Sequence, residues 1–134
     1  MSVIILAGCG QESYDKQHYI LDTQRASSVV ASNSANIIEI RRFTSNSAFS
    51  AKNLIYRVGE FEYESDFYNE FLVSPTAMIT EKVRNWLAGS GVARRVLDPG
   101  SNVDPTHIIE GNIIAFYGDF RAKSAPIARA RAER

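Results

Sequence analysis

No disulfide can form within this chain of 134 residues, because Cys9 is its only cysteine. Histidine is scarce as well. His18 and His107 are the only two, and with the lone cysteine near the N-terminus no His/Cys zinc pattern can be assembled. No run approaches the roughly 18–20 consecutive apolar residues that a membrane-spanning helix needs, so no such span is expected. Neither sign of charge is in excess: fifteen Lys and Arg stand against fifteen Asp and Glu. Dedicated nucleic-acid-binding domains carry a basic surplus, so no nucleic-acid partner is expected. Phosphate-cradling loops are missing, with neither a G-x-G-x-x-G nor a Walker motif. The Gly89-Ser90-Gly91 triplet lacks the G-x-S-x-G frame of a nucleophile elbow.

The remaining composition is that of an ordinary globular domain. Hydrophobic residues make up 45% of the chain and charged residues 22%. A chain of this length is room for one domain and buries roughly 65–70% of the surface its unfolded form exposes.

The first residues carry a chemical pattern. Leu6-Ala7-Gly8-Cys9 has the form of a lipobox, an apolar residue and two small ones before a cysteine. Small residues let an extended backbone enter a signal peptidase, which cuts before a cysteine whose thiol already carries a diacylglyceryl group. Signals of this kind also use a basic n-region and an apolar stretch of roughly 7–15 residues. Here the apolar stretch is only Val3–Leu6, and no Lys or Arg stands before Cys9. The alternative reading is a buried first strand over Val3–Leu6 with a turn at Gly8-Cys9-Gly10.

Along the body, His18–Thr23 reads as a short strand and Gln24–Ala35, rich in Ser, Ala and Asn, as a surface loop. Ile37–Phe43 is the next strand and Thr44–Ser50 a polar loop. Leu54–Val58 and Phe61–Tyr68 flank Gly59-Glu60, which fits a two-residue hairpin with positive φ at the glycine. The second of these strands alternates Phe61, Tyr63 and Phe67 with Glu62, Glu64 and Asp66, so one buried and one wet face are expected. Ser74-Pro75 opens a helix in which Ile79, Val83, Trp86 and Leu87 share the apolar face, and Gly89 is a natural stop. Val92–Leu97 is a short strand. His107–Tyr117 is a longer one with Gly111 as a candidate bulge. Residues 121–134, rich in Ala and Arg, read as a frayed helix or a solvated tail. Both histidines read as structural, and the carboxylates of Glu62, Glu64 and Asp66 as the water face of a strand rather than a metal site.

These segments support a family comparison. Ile38-Glu39-Ile40-Arg41-Arg42-Phe43, Leu54-Ile55-Tyr56-Arg57 and Asp66-Phe67-Tyr68 follow one another in order. They are followed by Phe71-Leu72-Val73-Ser74-Pro75, Trp86-Leu87 with Ser90-Gly91, Ile109-Glu110-Gly111 and Tyr117-Gly118-Asp119. The series resembles the ABC-type transport auxiliary lipoproteins, the family that includes the paraquat-inducible protein C branch, from about Leu6 to Phe120. The resemblance implies a single α/β domain, a mixed sheet with helices packed on it as a three-layer sandwich. Its divisions would be a remnant signal at 1–9, the auxiliary domain at 10–120 and a basic tail at 121–134. The family continues past the equivalent of Phe120, and the signal is short, so a chain truncated at both ends is expected.

The resemblance also implies a role. The chain would be an outer-membrane lipoprotein facing the periplasm, acylated (palmitate included) at Cys9, with Gly10 suiting outer-membrane sorting. It would serve as a non-catalytic auxiliary component of a transport system for lipids or hydrophobic compounds. Its partners would be an MCE-domain protein and, through the anchor, the membrane. No catalytic residue, metal or cofactor is implied. The competing expectation is a soluble periplasmic interaction or assembly module without an anchor.

Overall fold

Isoleucine-rich segments build the centre of the fold. The computed structural model describes residues 15–23, 35–122 and 124–133. In chain order these form β1 (Gln17–Tyr19), β2 (Ile37–Ile40), β3 (Thr44–Ser45), a 3-10 turn (Ser47–Phe49), β4 (Asn53–Arg57), β5 (Tyr63–Phe71), α1 (Pro75–Ala88), β6 (Arg95–Leu97), β7 (His107–Ile109), β8 (Asn112–Asp119) and β9 (Ile127–Glu133). The class is mixed α/β, as the sequence leads one to expect. Of the several helices in the expected sandwich, the described residues hold one α-helix.

Two strand pairs in line form the spine. β2 runs parallel between β6 and β7 in a three-stranded sheet. Its continuation, β3, runs parallel to β8, the continuation of β7, in a six-stranded sheet. Backbone bonds from Arg41 N to Ile109 O (3.0 Å) and Thr44 N to Gly111 O (2.9 Å) carry the pairing across the step. The expected single strand His107–Tyr117 is therefore two strands, and Gly111 lies at the change of sheet. A Cβ there would sit 3.1 Å from the Phe43 ring, so glycine lets that ring lie on the backbone.

Helix α1 covers the small sheet. Ile38, Ile40 and Phe43 form the buried cluster, and Ile79, Val83 and Leu87 pack on it with Val96 and Ile109. Trp86, expected on the same face, is exposed. Thr80, which is not one of those apolar positions, is also buried: its hydroxyl accepts from Phe43 N (3.0 Å) and donates to Thr76 O (2.6 Å), which ties the helix to the end of β2. Ser74 occupies the cap position without a side-chain cap bond. Its carbonyl accepts from Ala77 N and Met78 N instead.

The large sheet follows the order β1-β5-β4-β8. A strand has two hydrogen-bonding edges. β9 lines one edge of β8 antiparallel from Asn112 to Asp119, so β3 and β4 share the other edge end to end.

Several local expectations are corrected here. Gly59 is not in the left-handed region, which among the described residues holds only Gly91 and Gly100. The β4–β5 connection is a wider loop closed by Val58 N and Gly59 N on Glu62 O (3.0 and 3.3 Å). Thr44–Ser50 is not a plain loop but contains β3 and the 3-10 turn. The tail is a strand, neither a frayed helix nor a free end. Its side chains alternate as Ile-Ala-Arg-Ala-Arg-Ala-Glu, a period of two that suits a strand laid on a template. The loop expected at Gln24–Ala35 lies, up to residue 34, outside the described residues.

Candidate functional site

Cys9 and its lipobox lie outside the described residues. The other groups singled out in the sequence are placed, and the structure keeps them apart. His18 stands on β1 with Nε2 3.1 Å from Glu70 Oε1, while Lys16 Nζ lies 3.0 Å from the other oxygen of that carboxylate. Those neighbours lower the Glu70 pKa, the hydrogen bond from Lys16 chief among them. His107, at the start of β7, shares a 2.9 Å contact with the Thr106 hydroxyl, which also bridges Ile37. Ser90 is buried under the end of α1, where its hydroxyl donates to Leu87 O (2.7 Å) and accepts from Val92 N (3.2 Å). Among the described residues no group of three or more His, Cys, Asp or Glu side chains is placed to hold a metal ion.

The carboxylate series on β5 divides. Asp66 folds back over its own strand and accepts from Asn69 Nδ2 (2.9 Å), Tyr68 N (2.8 Å), Asn69 N (2.9 Å) and the Tyr56 hydroxyl (2.8 Å). These donors, Asn69 first, hold its pKa at about 2. Burial, then the hydrogen bond to Asp66, pushes the Tyr56 phenol up to about 12. Glu62 and Glu64 remain in water. The aromatic side chains meant to form the buried face of this strand are also exposed, Phe61 at 90% and Phe67 at 67%.

Two features on opposite faces of the large sheet went unread in the sequence. One face carries an apolar cavity of about 430 Å³. Leu54 and Tyr56 on β4, Phe71 on β5, Phe116 on β8 and Ala128 and Ala130 on β9 line it. Gly118 belongs to its floor, because a Cβ there would meet the Phe120 ring at 2.8 Å and the Tyr56 ring at 3.4 Å. Small residues on β8 and β9 thus leave a depression between aromatic walls.

The other face is aromatic and basic. Phe49 stacks on Tyr117 with ring centroids 6.0 Å apart, and Tyr63 meets Tyr117 edge-on at 5.4 Å. Arg57 lies over Tyr63 at 5.7 Å, within cation–π range. Beside them Asp119, nearly buried, accepts from Arg121 Nε (2.9 Å) and Nη2 (2.7 Å) and from Arg129 Nε (3.2 Å). The Arg121 bonds above all hold the Asp119 carboxyl well below the usual carboxylate range. Asp119 therefore latches β9 to β8. The one sequence signal for these features was the period of two in residues 127–133, muted because Ala and Arg are weak strand formers.

The arrangement offers surfaces for contact: an apolar depression on one face, and an arginine and tyrosine cluster on the other. No family model matches the sequence, and no curated protein matches it. Solved structures do match its shape. Protein XCC0632 from Xanthomonas campestris, described with the family model DUF330, superposes with a TM-score of 0.66 at 13% identity. The match covers 89% of this chain and 63% of that one, so this chain spans less than two thirds of its length. The crystal structure of an uncharacterized protein gives a TM-score of 0.61 at 9% identity, covering 89% of this chain and 78% of the other. At such identities the likeness is one of fold alone.

Proposed function

We propose that this chain is a non-catalytic auxiliary component of an ABC-type, MCE-containing transport system for lipids or other hydrophobic compounds. In this reading it is held at the periplasmic face of the outer membrane through acylated Cys9. The observation that carries it is the apolar cavity between Tyr56, Phe71 and Phe116 on one face of the large sheet. A depression of this kind, walled by aromatic side chains and floored by glycine and alanine, suits a surface that another protein covers. The ordered motifs from Ile38 to Asp119 support this family reading, in which Cys9 would be the anchor. Stable anchoring needs more than one acyl chain, which the thiol and the new amino group of such a cysteine together provide.

The experiment has two arms. The gene, with its upstream sequence, is expressed in cells fed an alkyne analogue of palmitate. The original protein takes up label in the outer-membrane fraction and Cys9→Ser does not; equal labelling of both refutes the anchor. In the second arm the MCE-domain protein of the same organism is captured on the purified chain. Phe116→Glu, which places a charge in the cavity, abolishes capture. Capture that persists with this variant removes the cavity from the docking surface. A chain found wholly in the soluble fraction with Met1 retained favours the unanchored interaction module.

A further inference from the structure

Two edges of the large sheet have no neighbouring strand over part of their length among the described residues, and their side chains complement each other. At one side β9 bonds to β8 through one edge only. Arg129 and Arg131 project from one face of β9, and Ala128, Ala130 and Ala132 from the other. Arg129 is positioned by Asp119 at 3.2 Å. At the opposite side, β1 covers only Asn69–Phe71 of the outer edge of β5. The preceding stretch, Tyr63–Asp66, has β4 on its inner edge and no strand beyond it among the described residues. Glu62 and Glu64 flank Tyr63 there, all three exposed.

β9 is unsuited to pairing with its own copy. Antiparallel pairing centred on Ala130 sets Arg129 against Arg131, and pairing centred on Arg131 sets that residue against itself. Like charges directly opposite are destabilising. An edge of this kind is guarded against itself and selects an acidic strand. The chain contains one.

We propose that β9 of one molecule adds antiparallel to the Glu62–Asp66 edge of a second copy, so that the sheet continues between molecules. With Arg129 opposite Glu64, Arg131 falls opposite Glu62 and Ala130 opposite Tyr63. Directly opposed residues share a face, so each arginine meets a glutamate, and the small Ala130 leaves room for the Tyr63 ring. The strand directions agree with this pairing. β5 and β9 both run against β8 within one sheet, so antiparallel pairing turns the second copy over. Glu64 lies on the Tyr56 side of the sheet, and Arg129 on the Tyr117 side. The turn brings these two sides level. Donor and acceptor edges differ, so the contact is heterologous and assembly ends in a closed ring or runs on as an open chain. This inference is independent of the anchor and of any transport role.

The test is analytical ultracentrifugation of the full chain under reducing conditions, so that Cys9 cannot link copies. Mass rises with concentration above the 14.9 kDa monomer and falls back as salt is added. Arg131→Glu, which leaves the Arg129–Asp119 latch in place, weakens association by about tenfold, as does Glu62→Arg. An equimolar mixture of the two variants regains the original behaviour, because each then carries an edge complementary to the other's. Thermal melts confirm that both variants fold. A chain that stays monomeric at every concentration overturns the proposal. So does association that survives both reversals, or a mixture that does not recover. If the monomer instead binds an acidic strand of a different protein, β9 belongs to that partner and self-assembly is refuted.

Discussion

Ile40 and Phe67 separate burial in the structure from hydrophobicity in the sequence. Phe67 is the larger side chain, and alternation along its strand suggests that it faces a core. It is 67% exposed, with Lys16 over its ring at 5.3 Å. Ile40 is 0% exposed, enclosed by Ile38, Phe43 and the α1 side chains above them. Ile40→Ala removes three carbons from a site with no water to refill it. At about 0.8 kcal/mol for each buried methylene plus a cavity term, the loss comes to about 3 kcal/mol. Ile40→Val removes one carbon and costs about 1 kcal/mol. Phe67→Ala gives up contacts that are mostly already in water and costs under about 1 kcal/mol. Urea denaturation followed by far-UV circular dichroism measures all three, with the m-value as a check that the unfolded reference is unchanged. At about 4 °C per kcal/mol, Ile40→Ala melts roughly 12 °C below the original protein. If Phe67→Ala is the more damaging change, the assignment of the core to the β2–α1 layer is wrong.

Further perturbations test the fold around the two faces of the large sheet. Asp66 has its pKa held at about 2 by donors present only in the folded chain, so its contribution is complete above the ordinary carboxylate range and is lost as pH falls from about 4 to about 2. Urea midpoints should fall over that window in the original protein, and fall less in Asp66→Asn. Tyr56, pushed up to about 12, runs in the opposite sense: its contribution is complete below about 10 and is lost as pH rises towards 12, a loss absent in Tyr56→Phe. Asp119→Asn weakens the arginine latch, and hydrogen exchange of the amides in residues 127–133 should quicken while α1 amides are unchanged. Gly111→Val forces a branched side chain against the Phe43 ring, already 3.1 Å from a Cβ, and should destabilise by about 1–3 kcal/mol in the same denaturation assay.

The small sheet and its helix were legible because their signals are local. Ile38 and Ile40 are two apart on a strand, and Ile79, Val83 and Leu87 recur at helical spacing after Ser74-Pro75. Each pattern names its own buried face, and the two faces meet. Thr80 escaped because a hydroxyl reads as solvent-facing, whereas here it joins two backbone groups from different elements. The β5 hairpin shows the limit of alternation. A period of two says that Phe61, Tyr63 and Phe67 share a side; it does not say that anything covers that side. What covers a strand is decided by elements distant in sequence. Gly59 misled for a related reason, since a glycine permits positive φ but the Glu62 carbonyl, accepting two N–H groups, closes a wider loop.

The tail is the case where non-local structure decides both fold and site. Ala and Arg would ordinarily favour helix over residues 127–133, and no apolar stripe stands against that preference. β8 overrides it, offering a paired edge from Asn112 to Asp119 and, at its end, a nearly buried carboxylate. That carboxylate needs cationic partners, since burying it unpaired is far costlier than ordering two arginine side chains. Arg121 and Arg129 fill that need, one on each side of the turn that leads into β9. The register so set places Ala128 opposite Gly118 and Ala130 opposite Phe116. Those pairs line the apolar cavity, and they leave Arg131 on an edge that no further strand covers among the described residues. A shift of β9 by one residue would bring Arg129 and Arg131 to the cavity face and the alanines to Asp119. The carboxylate of Asp119 thus settles which face of the sheet is apolar and which is basic, and both candidate contact surfaces depend on it.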